Sequence, residues 1–168
     1  ARERVSGEAT SPADLKLAGM VHAKLKRSPH AHARIRRIDT SRAEALPGVL
    51  ATVTAADFVD LPIGTTIPMG ELGYDMWMVA QINIARHKVH WIGQPVAAVA
   101  ALDPHIADAA LALIDVESEP LPAVVDIAAA MQSNAPVLHD HVITKGVEPR
   151  PRSPSNVCSR SAITRGDT

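Results

Sequence analysis

Aromatic side chains are scarce. Phe58, Tyr74, Trp77 and Trp91 are the only phenylalanine, tyrosine and tryptophan residues in 168. A core built without rings relies on Ala, Val, Leu and Ile and forgoes the large area each ring buries, so modest stability is expected of the chain by itself. Cysteine is scarcer still. Cys158 stands alone, which excludes an internal disulfide and any zinc or iron–sulfur centre built from this chain's own cysteines. One reactive-looking thiol with no base near it in sequence is a poor nucleophile. This usage fits a reducing compartment, and a cytoplasmic location is the expectation. Net charge is nearly absent: 17 Lys and Arg against 18 Asp and Glu leave −1. No overall field draws the chain to nucleic acid or to an acidic membrane. No apolar run reaches the roughly 18 residues of a membrane span. The opening "ARERVSGEAT" has neither an apolar signal core nor an initiator Met, as expected of a processed chain or one cut from something longer.

What is present is a globular composition, 46% apolar, and a length suited to one domain with a core of its own. Residues 1–18 give no clear pattern. In "GMVHAKLKRS", Met20, His22, Lys24 and Lys26 alternate with Val21, Ala23 and Leu25, the period of a half-buried strand. "ARIRRID" predicts a second strand anchored by Ile35 and Ile38. Ser41 and Glu44 have capping-box spacing ahead of a short helix "RAEAL", which Pro47-Gly48 ends. "VLATVT" reads as a buried strand and residues 60–75 as a long loop. "MWMVAQINIA" fits strand or helix. Two strand-like runs flank the corner Gly93-Gln94-Pro95. The second, "VAAVAAL", has no polar face and should be a central strand covered on both sides. Asp103 and Pro104 open a helix over 104–114, which with Val96–Leu102 should form the core. "LIDVESEPLP" is a further strand, "DIAAAM" a short helix capped by Asp126, the proline-rich stretch from Lys145 to Ser155 an extended linker, and "NVCSRSAITRGD" a possible last strand. Strands and short helices without a repeated βαβ unit indicate α+β.

Histidines are the obvious site candidates. His30 and His32 form one H-x-H pair, and His139 and His141 another around Asp140. On a strand each pair would present two imidazoles to one side, as a metal requires. Against this stand Arg27, Arg34, Arg36 and Arg37, whose charge disfavours a cation, and the ordinary alternative is solvated turn histidines. Arg34 and Arg36 should share one strand face and Arg37 the other. With no aromatic rings interleaved to stack on bases, a charged face toward another protein or domain is the better reading than nucleic acid. Asp115, Glu117 and Glu119 alternate on what should be a solvated face. No nucleophile elbow, phosphate loop or dinucleotide fingerprint occurs, and "GELG" is not a phosphate-binding pattern. No nucleophile–base pair supports a stand-alone enzyme.

The order of the blocks resembles the first domain of the large, molybdenum-bearing subunit of the xanthine dehydrogenase and aldehyde oxidase family. The resemblance rests on "GEATSPADLKLAGMVHAKLKRSPHAHARIRRIDTSRAEALPGVLATVTAADF", then "KVHWIGQPVAAVAA", "ADAALALIDVESEPLPAVVDIAAAM" and the closing "RGD". It spans nearly the whole chain from about Val5. The long connection "GTTIPMGELGYDMWMVAQINIA" resembles the carbon monoxide dehydrogenase-type and 4-hydroxybenzoyl-CoA reductase-type branches more than xanthine dehydrogenase.

The resemblance implies an α/β-hammerhead fold, a mixed sheet with short helices packed on it, over residues 1–144. Residues 145–168 would be a linker and final strand leading toward molybdenum-binding domains. It implies a larger oxidoreductase acting on a carbon centre of an aldehyde, CO, an N-heterocycle or an aromatic acyl-CoA. That enzyme would use a molybdenum–pterin cofactor, with [2Fe–2S] clusters and FAD in partner subunits or domains. The catalytic and cofactor-binding residues of the family fall on no position of this chain, and the arginine–histidine stretch becomes scaffold. The family commonly carries Tyr where this chain has Ser11 and Ser118, a loss of roughly 2–4 kcal/mol at each if the site is core. The rival is a stand-alone binding or interaction module with the same fold, using its His/Arg surface for a small anion or a metal.

Overall fold

The structure, a computed structural model, describes residues 2–10, 14–69 and 72–166. Ser11, the "GE" of "GELG" and the final Asp167 lie outside them. The elements in chain order are α1 (Arg2–Ser6), β1 (His22–Arg27), β2 (Ala33–Asp39), α2 (Ser41–Glu44), β3 (Val49–Thr54), β4 (Thr66–Met69), β5 (Leu72–Asp75), α3 (Met76–Asn83), β6 (Lys88–Val89), β7 (Pro95–Ala101), α4 (Pro104–Leu113), β8 (Asp115–Pro120) and α5 (Ile127–Ala130). The α+β class holds. The expected mixed sheet is divided into three small ones, β1-β7-β3, β6-β2-β8 and the hairpin β4-β5, with antiparallel pairing throughout.

The first sheet carries α4 and α2 on one face. Ala97, Val99 and Ala101 of β7 pack with Ala107, Ala110 and Ile114 of the α4 layer and with Ala43 of α2. A second cluster, Ala33, Ala85, Val89 and Val96, joins the two three-stranded sheets. Eight of the twelve buried apolar residues in the described chain are alanines, so the core is thin, as the lack of rings foretells. The α4 helix starts as expected: the Asp103 carboxylate accepts from the His105 N–H at 2.7 Å, with Pro104 in the first turn. Asp126 caps α5 in the same way, accepting from the Ala129 N–H at 2.8 Å.

Several expectations are corrected. The alternation in β1 is real but inverted: His22, Lys24 and Lys26 lie on the helix side and Ala23 and Leu25 are exposed. The lysine stems cover apolar surface while their heads find polar partners. Lys24 pairs with Asp108 of α4 at 2.5 Å, and Lys26 donates to the Leu111 carbonyl at 2.8 Å. β3 is a strand but is not buried, with Leu50 54% exposed. Likewise β7 is central but covered on one face, Ala98 and Ala100 remaining partly exposed. The Ser41/Glu44 capping box does not form. Asp39 instead accepts from the Ser41 N–H at 3.0 Å, and Glu44 is taken by the hydroxyls of Thr40 and Thr52, each at 2.6 Å. A capping box does form at Thr54 and Asp57, opening a 3-10 turn.

The 60–75 loop contains the β4-β5 hairpin, and the ambiguous apolar run is helix α3, capped by Asp75 through the Met78 N–H at 3.0 Å. A bulge in β2 against β8 shifts the phase between Ile35 and Arg37. Arg34, Arg36 and Arg37 are therefore all exposed and do not divide between faces. Of the segment "NVCSRSAITRGD", the described residues 156–166 form no strand; their one ladder contact is a bridge between Lys145 and Ser159. Asn156 draws the end of the chain back, donating to the carbonyls of Ala130 and Pro136 and accepting from the Leu138 N–H.

Candidate functional site

Gln94 organises the centre of the molecule. It is fully buried. Its side-chain oxygen accepts from the His90 N–H at 2.7 Å, and its amide donates to the Gln81 carbonyl at 2.8 Å. Gly93, at φ +87, makes the corner possible; its N–H donates to Ser28 O at 2.8 Å, and Arg27 donates to its carbonyl at 2.8 Å. The corner ties α3, β6, β7 and the end of β1 together, and it fixes where His90 sits.

Around His90 the two H-x-H motifs partly converge. His32, just before β2, stacks on His90 with centroids 5.8 Å apart; His90 stacks on His139 at 4.4 Å, the planes 16° apart. His139 meets His141 edge-on at 5.9 Å, and His141 meets Trp77 of α3 at 4.2 Å. His30 takes no part in these ring contacts; its N–H donates to the Ser28 hydroxyl. Of the four sequence candidates, His32, His139 and His141 are thus brought together and His30 is not. His90, Trp77 and Lys88 were missed. The only sequence signal for His90 was its place between the short β6 and the Gly-Gln-Pro corner.

The electrostatics favour neutral rings at His90 and His139. Burial first, then the fields of His139, His32 and Lys88, push the His90 imidazole from its usual 6.5 down to about 4. Burial and His141 lower His139 as well. Lys88 donates to Asp140 and holds that carboxyl below its ordinary value. His32 is 95% buried, 5% exposed. Its Nδ1 lies 2.7 Å from the Pro122 carbonyl and so donates. The Nε2 atoms of His32 and His141 are both buried without a partner.

Beside the stack is a cavity of about 300 Å³, lined among others by Arg34, Ile63, Lys88 and Asp140. Coordination requires ring nitrogens aimed at one point, whereas His90 and His139 lie face to face. Among the described residues no group of three His, Cys, Asp or Glu side chains has the placement to hold a metal ion.

The arginines are committed elsewhere. Glu119 of β8 receives Arg36 and, at 3.9 Å, Arg34; Arg37 pairs with Asp39 at 2.5 Å. Glu119 of β8 is thus the counter-charge for Arg34 and Arg36, an opposite-charge pairing across neighbouring strands. Cys158 is exposed. Among the described residues no helix is long and apolar enough to cross a membrane.

Against known families, residues 6–122 match the model described as "Aldehyde oxidase and xanthine dehydrogenase, a/b hammerhead domain". The carbon monoxide dehydrogenase large chain of Afipia carboxidovorans is 44% identical over 132 residues, 79% of this chain and 16% of that one. The 6-hydroxypseudooxynicotine dehydrogenase complex subunit gamma of Paenarthrobacter nicotinovorans is 38% identical over 130 residues, covering 74% and 16%. Among solved structures, quinoline 2-oxidoreductase from Pseudomonas putida 86 superposes with TM-score 0.65 at 39% identity, covering 80% of this chain and 17% of that one. A Cu,Mo-CO dehydrogenase in its carbon monoxide reduced state superposes with TM-score 0.65 at 38% identity, covering 82% and 16%. The chain therefore spans about one sixth of the length of these relatives.

Proposed function

The chain belongs to the aldehyde oxidase and xanthine dehydrogenase family through its a/b hammerhead domain, and on that premise we propose that it is the scaffold and docking domain of a molybdenum hydroxylase large subunit, silent in catalysis by itself. Residues 1–144 are the hammerhead domain, and 145–168 lead toward molybdenum-binding domains. The whole enzyme oxidises or reduces a carbon centre of an aldehyde, CO, an N-heterocycle or an aromatic acyl-CoA. Iron–sulfur and flavin subunits or domains are its electron partners, and the cytoplasm is its compartment.

The residues of this chain do not fit the cofactors of such an enzyme. A [2Fe–2S] cluster is held by four cysteine thiolates, and the sequence has one cysteine. In the cavity beside the histidine stack, Lys88 already pairs with Asp140 and Arg34 lies 3.9 Å from Glu119, so neither cation is left as a free anchor for the anionic end of a pterin cofactor. Those groups belong in the rest of the enzyme, and the role of this chain is to give that enzyme its shape. The rival module reading loses its binding groups for the same reason: Arg34 and Arg36 face Glu119, Arg37 pairs with Asp39, and the histidine rings are closed on one another.

The observation that carries the reading is the family match over residues 6–122 combined with coverage of only 16% of a relative's length. The test is fractionation of the source cell, following peptides of this sequence by mass spectrometry and molybdenum by elemental analysis. The expected result is that both run together with a polypeptide about five times as long, a ratio that follows from 132 matched residues being 79% of this chain and 16% of the relative. Peptides that run without molybdenum would overturn it.

A further inference from the structure

The sheet β1-β7-β3 has two unlike faces, and the pairing register separates them. Lys24, Val99 and Thr52 stand in one row, and Lys26, Ala97 and Thr54 in another. These are the rows under α4, where Val99 and Ala97 are buried. The rows between them point the opposite way: Ala23, Ala100 and Ala51, then Leu25, Ala98 and Val53. Every side chain in these rows is apolar. Ala23, Leu25 and Ala51 are exposed, Leu25 by 43%, and Val21 beside them by 45%. Both helices that pack on this sheet belong to the other face.

An arrangement with lysines and threonines inward and Leu, Val and Ala outward is inverted for a sheet that faces water. The β7 sequence, apolar on both faces, is that of a strand covered on both sides. Here the second cover is not supplied by the described residues. Two successive rows with no charged or polar side chain, bordered on the same side by Arg27 at the end of β1, have the composition of the centre of a permanent interface, since interfaces that form and dissolve are about as polar as ordinary surface. Such a face must be covered from the time it folds. A neighbour on the same polypeptide does this without the entropy cost of bringing two molecules together. The relatives carry roughly five sixths of their length outside the matched span, given its 16% share.

We infer that the Leu25–Val53 face of this sheet is the seat for the remainder of the same large chain, an apolar surface that approaches closely over Ala23, Ala51, Ala98 and Ala100. The inference rests on the large-subunit reading and names its internal interface. The histidine stack and the Arg34–Glu119 surface lie on the other sheet and are left for other contacts.

The test is thiol protection in the full-length large chain carrying Cys158→Ser. Leu25→Cys and Ala51→Cys place a thiol on the face, and Arg37→Cys places one on the outer side of β2. Labelling by a charged maleimide is read peptide by peptide, native against urea-unfolded. Thiols at positions 25 and 51 should label roughly tenfold or more slowly in the native large chain, as buried thiols do, while the thiol at 37 labels near its unfolded rate. Fast labelling at 25 and 51 overturns the inference. So does protection that arises only when the iron–sulfur or flavin subunit is added, or that grows with protein concentration, since the occupant is then another chain or a second copy. Molybdenum content of the same preparation separates the two claims: a molybdenum-bearing chain with an open face refutes the seat alone, and a metal-free chain refutes the large-subunit reading.

Discussion

Replacing Gln94 by methionine keeps the volume of the side chain and removes both of its hydrogen bonds. The site is fully buried, so no water can substitute. The His90 N–H loses its acceptor at 2.7 Å and the Gln81 carbonyl its donor at 2.8 Å. Each buried backbone group left unmatched costs about 1–3 kcal/mol, and the packing term for an isosteric exchange is below about 1.5 kcal/mol. The total is about 4 kcal/mol, a large part of the 5–15 kcal/mol that holds a domain of this size together. For a chain of this length that is a fall in Tm of about 10 °C. Gln94→Glu should cost as much or more, because its carboxylate would face the Gln81 carbonyl without a proton to donate. The assay is urea unfolding followed by far-ultraviolet circular dichroism, with Trp91 fluorescence as a probe beside the corner. A Gln94→Met protein within about 0.5 kcal/mol of the parent, the range of ordinary surface changes, would refute the idea that this one amide locks the corner.

Other outcomes follow from the same geometry. Because the His90 pKa is lower in the folded chain, about 4, than its usual 6.5, the unfolded chain takes a proton that the folded chain resists. Stability is then full above about pH 6.5 and declines as pH falls toward 4; His90→Phe should flatten that slope, and an unaltered slope would exclude His90 as its source. Loss below that window belongs to Asp39, Glu44 and Asp57, whose carboxyls are held below their usual values by hydrogen bonds from Ser41, Thr40 and Thr54 respectively. Gly48→Ala meets both a positive φ of +89 and the Ile106 Cδ1 atom 2.6 Å from the new Cβ. A loss of about 1–3 kcal/mol is expected in thermal melts, and no loss would mean the turn relaxes freely. Ser118→Tyr, on a half-buried position of β8 opposite Ile35, should stabilise by about 1 kcal/mol, roughly half a ring's burial less its ordering entropy; a lower Tm would show the site closed to a ring.

Local chemistry made much of the fold legible. Asp103-Pro104 and Asp126 announced their helices because a cap is a contact between near neighbours. The apolar β7 announced a central strand. What failed depended on partners far along the chain. The alternation of Lys24 and Lys26 with Ala23 and Leu25 marks a strand but not which face is covered; Asp108 and the Leu111 carbonyl, on a helix over 80 residues away, turn the lysines inward. The phase of Arg34, Arg36 and Arg37 was lost at a bulge that only the pairing with β8 creates. The candidate site shows the same division. Spacing found His32, His139 and His141, but His90 joins them only because Gln94 sets its backbone, a tertiary fact with no local mark. Spacing also suggested coordination, where the tertiary arrangement stacks the rings.

The most direct test of the central claim, that this chain shapes an enzyme whose chemistry is held elsewhere, is metal analysis and a visible absorption spectrum of the purified chain. The account predicts a colourless protein with no stoichiometric molybdenum, iron, zinc or flavin. A metal at one equivalent, or a flavin or iron–sulfur band, would contradict it and give the histidine stack or Cys158 a chemical role.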